Sequence, residues 1–210
     1  MSNLIAIAVI IALFSLFGIL HSIMASFNLK EKIAGKFPKF MPYYRAVFNI
    51  LSLITFYLVY ELSPKPYGMI YDLKPPFDLF VYFFQLLSLA GIVYSVRYFD
   101  LGEFSGVSQI KRGLKGTYRL NSLDEETSFR IDGPYRFSRH PLYLFLILFL
   151  GFRPYMDIFY LTAFLCLTAY FIIGGYFEEK SLVKKFGEPY LEYKKNVSMI
   201  FPFKLFSKNV

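Results

Sequence analysis

The chain has 210 residues, 56% of them hydrophobic and 21% aromatic, yet Lys and Arg outnumber Asp and Glu by 23 to 15. That length allows one soluble domain, but the apolar residues stand in blocks too long and too unbroken for a soluble core. A single cysteine, Cys166, excludes an internal disulfide and a cysteine-based metal site; with only His21 and His140 a histidine cluster is not expected, and no Gly-x-Gly-x-x-Gly run supports a soluble dinucleotide fold.

In chain order, Leu4 to Leu20 is apolar enough to cross most of a ~30 Å hydrocarbon layer at ~1.5 Å per residue, which predicts a first span over about 4–22. Met1-Ser-Asn3 carries no side-chain charge, so the segment reads as an uncleaved anchor and His21-Ser22 as interfacial residues at its inner end. Lys30 to Arg45 mixes lysines with Phe37, Phe40 and Tyr43-Tyr44 and reads as an amphipathic stretch along the headgroups. A second span is expected over about 46–62, with Asn49 inside it. Pro64, Pro66, Pro75 and Pro76 then mark a short loop that cannot be helical throughout.

The third span is expected over 77–98, with Gln85 inside it; Asn49 and Gln85 can bond between helices. The hydrophilic stretch 99–139 holds Gly102, Gly106, Gly113 and Gly116 and the acidic Asp124-Glu125-Glu126, and it reads as a loop or lid. A short apolar run over 140–152 and a longer one over 157–178 complete about five spans, the last two as a hairpin, before a basic tail over 179–210. The expected fold is therefore all-α: one polytopic integral-membrane domain over 1–210.

Charge predicts the orientation. With five spans, 20 of the 23 Lys and Arg residues fall on one side, leaving Lys65, Lys74 and Arg153 on the other. The positive-inside rule then places the N-terminus outside and the C-terminus in the cytosol. The basic balance points to membrane lipids as partners and not to nucleic acid.

Two polar clusters meet apolar runs on the cytosolic side. Arg136, Arg139 and His140 precede Pro141, and Pro at the first helical position forfeits no hydrogen bond. Arg139 and His140 should thus stand at a helix N-terminus, where free N–H groups favour anions. Glu178-Glu179 closes the last apolar run. Adjacent residues differ by ~100° around a helix, so only one of the two can face a shared pocket fully. Glu178, spaced one turn from Gly174, shares the face of the two glycines Gly174-Gly175.

The run Gly133-x-Tyr135-Arg136-x-x-Arg139-His140-Pro141-x-Tyr143, then Glu178-Glu179-x-x-Leu182, then Phe186-Gly187-x-x-Tyr190-x-x-Tyr193 resembles the cofactor-binding half of the integral-membrane methyltransferases. These include isoprenylcysteine carboxyl methyltransferase and the phospholipid N-methyltransferases. The N-terminal half, through His21-Ser22, Tyr44-Arg45, Asn49, Asp100, Gly106 and Gln109, is more loosely similar to the methanethiol S-methyltransferase and NnrU-like branch. One position departs: Phe145 stands where the family often has Gly two residues after the Tyr.

The resemblance implies S-adenosylmethionine as cofactor and a lipophilic or small thiol, carboxyl or amine acceptor. A site for that cofactor needs an anion, a cation and aromatic faces. Glu178 or Glu179 can take its ammonium and Arg139 its carboxylate, while Tyr135, Tyr143 and Tyr176 can flank sulfonium or adenine. His140 can orient the acceptor or bind the cofactor, and with Arg139 is the candidate catalytic residue. Arg136 reads equally as a ligand to the cofactor or a headgroup anchor, and Tyr190 and Tyr193 as a packing stripe. No metal is expected. Two other readings stand beside this one: an NADPH-dependent membrane reductase of the sterol-reductase type, and a non-catalytic NnrU-like membrane protein.

Overall fold

The computed structural model describes residues 2–120, 123 and 129–206. The acidic run Asp124-Glu125-Glu126 and residues 207–210 of the basic tail lie outside the described residues. The protein is a helical membrane protein. Among the described residues four helices are long and apolar enough to cross a membrane: α1 (Asn3–Ala25), α3 (Met41–Leu62), α4 (Phe77–Val96) and α8 (Ile158–Phe186). Between α1 and α3 lie α2 (Phe27–Lys36) and a 3-10 turn; α5 (Leu101–Ser105) and α6 (Val107–Leu114) follow α4. The short apolar helix α7 (Pro141–Gly151) precedes α8, and α9 (Glu188–Asn196) and α10 (Phe203–Phe206) close the chain.

Two boundaries differ from the sequence expectation by more than three residues. The second span begins at Met41 because Pro42 fits the first helical turn, and α8 continues past 178 to Phe186. Glu178 through Lys185 are mostly good helix formers, and the helix stops at Gly187, whose φ of 64° suits glycine.

The chain divides into two compact units. One comprises Met1–Ile11, Pro64–Tyr98 and Phe129–Val210, the other Ala12–Ser63 and Phe99–Ser128. In the first, α4 packs along α7. Gly91 on α4 makes this possible, because a Cβ there would run into the Phe145 ring. Phe145 therefore fills a helix–helix seam. Gln85 Nε2 donates to the Phe149 carbonyl at 3.2 Å across the same seam, the inter-helix bond expected of it.

The proline-rich loop holds a strand the sequence did not announce. β1 (Met69–Asp72) pairs antiparallel with β2 (Tyr155–Asp157), which joins α7 to α8. Leu144 and Ile147 of α7 then bury against Phe164 and Phe171 of α8 and Met199 and Ile200 of the tail.

In the second unit α5 and α6 lie against α3. A Cβ on Gly106 would stand 2.6 Å from the Ala46 nitrogen, and one on Gly113 2.5 Å from Pro42 Cβ, so both glycines permit close approach. Gly106 also has a φ of 91°. Arg45 Nε and Asn49 Nδ2 both donate to the Phe104 carbonyl, at 3.0 and 2.9 Å. Buried Glu103 accepts from Arg112 Nη2 at 3.1 Å and from Gln109 Nε2 at 3.1 Å. The start of the hydrophilic stretch is thus a pair of helices docked on α3, and Gly106 and Gly113 serve that packing.

Candidate active site

The site lies in the first unit, where the segment before α7, the C-terminal half of α8 and the C-terminal tail converge. Gly133, with a φ of 55°, opens a 3-10 turn (Gly133–Arg136), and a Cβ there would strike the Tyr98 ring. Beyond it the chain pairs with the tail. Arg139 N donates to the Ser198 carbonyl at 3.0 Å, His140 N to the Met199 carbonyl at 2.9 Å, and Ser138 and Ser198 form a parallel bridge. His140 and Pro141 then start α7 as expected, with Pro141 at its first position.

The two glutamates part company. Glu179 has a side chain 4% exposed, and its Oε1 accepts from Arg139 Nε at 2.6 Å while its Oε2 lies 2.9 Å from Lys194 Nζ. Arg139, only 8% exposed, also donates from Nη1 to the carbonyls of Lys194, at 3.2 Å, and Val197. Two groups of its fork are therefore engaged with Glu179 and the C-terminal end of α9, where cations are favoured. Glu178 is 49% exposed. Its Oε2 accepts from the Tyr143 hydroxyl at 3.2 Å and lies 3.6 Å from His140 Nδ1.

His140 stands between the two carboxylates. Its Nε2 is 3.4 Å from Glu179 Oε1, close enough for attraction, and has no hydrogen-bond partner among the described residues. Its ring stacks on Tyr143 with centroids 5.2 Å apart and planes 3° apart, and Tyr143 stacks in turn on Phe171 at 5.2 Å. A column of three rings runs from the buried imidazole along α7 and α8.

The glycine pair resolves into two roles. A Cβ on Gly175 would be 2.7 Å from Met199 Cε and 3.4 Å from His140 Nε2, so the tail and His140 fill that face. A Cβ on Gly174 would meet nothing within 4 Å. Tyr176 is exposed, with Lys180 Nζ 4.6 Å from its ring centroid, and Arg136 is exposed. Tyr135 is half-buried; burial first, and the nearby Glu178 charge second, push its phenol up to about 12. Its carbonyl accepts from the Tyr193 hydroxyl at 2.6 Å. Tyr190 is buried and Phe129 packs on Tyr190, Tyr193 and Phe186, so the Tyr190/Tyr193 stripe is packing.

Sequence reading missed Lys194, Ser198 and Met199. No motif marks them, and only the pairing of the tail with residues 138–140 brings them to the site. No three-residue group of His, Cys, Asp or Glu placed to hold a metal occurs among the described residues.

Similarity to known proteins follows the whole chain and not the site alone. A methanethiol S-methyltransferase of Bradyrhizobium diazoefficiens is 30% identical over 97% of this chain and 75% of its own length. The chain belongs to the methanethiol S-methyltransferase family. A relative of that name from Pseudomonas deceptionensis is 29% identical over 94% of this chain and 73% of its own length. Another from Mycobacterium tuberculosis is 25% identical over 94% and 79%. No family model and no solved structure matches. This membrane protein is accordingly a methyltransferase, and of the three readings of the sequence the relatives carry the first.

Proposed function

We propose that this methyltransferase transfers the methyl group of S-adenosylmethionine to a small thiol at the cytosolic face of the membrane. The observation that carries the reading is the half-exposed Glu178 carboxylate, held by Tyr143, the middle ring of the column, and one helical turn from the open face at Gly174. The residues fit the cofactor. Glu178 holds the ammonium group, and the first turn of α7, whose N–H groups have no intrahelical acceptor, receives the carboxylate with exposed Arg136 nearby in sequence. The faces of Tyr143 and Tyr176 suit the sulfonium and the adenine.

S-adenosylmethionine supplies an activated methyl group when bound. The chain's own work is then alignment and the exclusion of water, which bring a thiol sulfur into line with that methyl carbon. His140 and the Tyr143 hydroxyl both address Glu178 Oε2 and so fix the carboxylate's direction. Arg139 acts differently from the sequence expectation: its engaged Nε and Nη1 give it the role of building the site. The small thiol is the substrate named for the relatives. The charge asymmetry, with 20 of 23 Lys and Arg residues on one side, supports an outside N-terminus, a cytosolic C-terminus and α7 as a short fifth span.

The test is purified protein in lipid nanodiscs with methyl-labelled S-adenosylmethionine and methanethiol. Labelled dimethyl sulfide in the headspace is expected. Saturable cofactor binding with no transfer to any of several small thiols would overturn the acceptor, and no binding at all would overturn the whole reading.

A further inference from the structure

We infer that Lys194 is a positioning residue of this site, acting through Glu179 to set the Arg139–His140 segment; the inference rests on the reading of the site just given. Lys194 Nζ is 2.9 Å from Glu179 Oε2 while Arg139 Nε is 2.6 Å from Oε1, so the buried carboxylate is gripped on both oxygens. The Lys194 carbonyl meanwhile accepts from Arg139 Nη1 at 3.2 Å and from Lys204 Nζ at 2.7 Å. One residue thus ties α9 to α8 by its side chain and to the α7 entry segment by its backbone.

The consequence reaches the ligand face through His140. Glu179 Oε1 lies 3.4 Å from His140 Nε2, and the opposite side of that ring addresses Glu178. With Oε2 unpaired in a position 4% exposed, Glu179 would carry charge that Arg139 alone must balance. The carboxylate would turn toward whatever second donor it could reach, and the imidazole is the neighbour at hand. Turning the imidazole breaks its 3° alignment with Tyr143, whose hydroxyl holds Glu178. Lys194 prevents this without touching the cofactor. Its neighbour Lys195 instead pairs with Glu192 on the exposed face of α9 and serves as the control.

The experiment measures binding of labelled S-adenosylmethionine and steady-state turnover in nanodiscs for the wild type, Lys194→Met, Lys194→Arg, Lys195→Met, Glu179→Gln and the Glu179→Gln, Lys194→Met pair. Lys194→Met should weaken cofactor binding by about ten-fold, the size of one charge-assisted hydrogen bond, while turnover at saturating cofactor changes much less. Lys194→Arg should recover most of the loss, and Lys195→Met should match wild type. In the Glu179→Gln background the Lys194 substitution should add nothing, because the charge it balances is gone. Unchanged binding in Lys194→Met, or the full loss persisting in the Glu179→Gln background, overturns the inference alone. Absence of cofactor binding by the wild-type protein overturns it together with the reading of the site.

Discussion

Arg139 and Glu179, forty positions apart, meet at 2.6 Å with both side chains almost closed to solvent. A pair so placed is unforgiving of single changes, because removing either partner leaves the other charged and buried. The pair also separates two roles that adjacent glutamates had left entangled, since the neighbouring Glu178 is the one that faces outward.

Arg139→Ala should therefore act first on stability. Leaving Glu179 Oε1 without its guanidinium and the Val197 carbonyl without its Arg139 donor should cost about 3–5 kcal/mol, read as a drop in thermal unfolding temperature in detergent. Arg139→Lys should recover little, since one ammonium does not reproduce the guanidinium's grip on Glu179, Lys194 and Val197. An Arg139→Ala protein as stable as wild type would show the pair to be ornamental.

Glu178→Gln should do the reverse. The side chain is half exposed and accepts a hydrogen bond from Tyr143, which Gln can also accept. Stability should hold while cofactor affinity falls by about 1.5–3 kcal/mol, roughly ten-fold or more, as for a lost charged hydrogen bond. Glu179→Gln should instead lower the unfolding temperature. If Glu178→Gln binds labelled cofactor like wild type, the ammonium sits elsewhere.

Gly174 offers a steric test. A Cβ added there meets nothing within 4 Å outside its own helix backbone, so Gly174→Leu is expected to fold and even to gain helix propensity. It should nonetheless block cofactor binding. Normal binding by the Leu variant would mean that the open face belongs to lipid.

The seam between α4 and α7 makes a fourth prediction. Gly91→Ala forces its new Cβ into the Phe145 ring near its base, where the ring cannot swing clear, and overpacking of this kind costs about 1–3 kcal/mol. Phe145→Ala in the same chain should relieve most of that penalty. Additive losses in the double variant, measured by thermal unfolding, would place the ring elsewhere.

Orientation is read with reporters. A fusion after Val210 should report the cytosol and an insertion near Tyr67, which is highly exposed, the outside. Both on one side would remove α7 from the count of spans.

Four spans and the start of α7 were legible because long apolar runs and a proline at the first helical position act locally. The β1–β2 ribbon was not. Strands of four and three residues inside a proline-rich loop and a helix connection carry no alternation to read. At the site, the residue types were legible and their pairing was not: that Arg139 faces Glu179, and that Met199 fills the space beside Gly175, depends on a tail folding back across about sixty residues. Phe145 was visible as a departure from the family, but its reason lies on α4, at Gly91.

The bridge between Ser138 and Ser198 closes a loop of about sixty residues that holds α7, α8 and α9. The Arg139 and His140 N–H groups donate to the Ser198 and Met199 carbonyls, so they are satisfied only once the segment after α9 has folded back. Contacts so distant in sequence carry a loop-closure cost that the turns within each helix do not. Formation of the membrane helices and closure of the segment before α7 are thus separable events, and a chain cut before Ser198 would keep its helices and lose the fixed entry to α7.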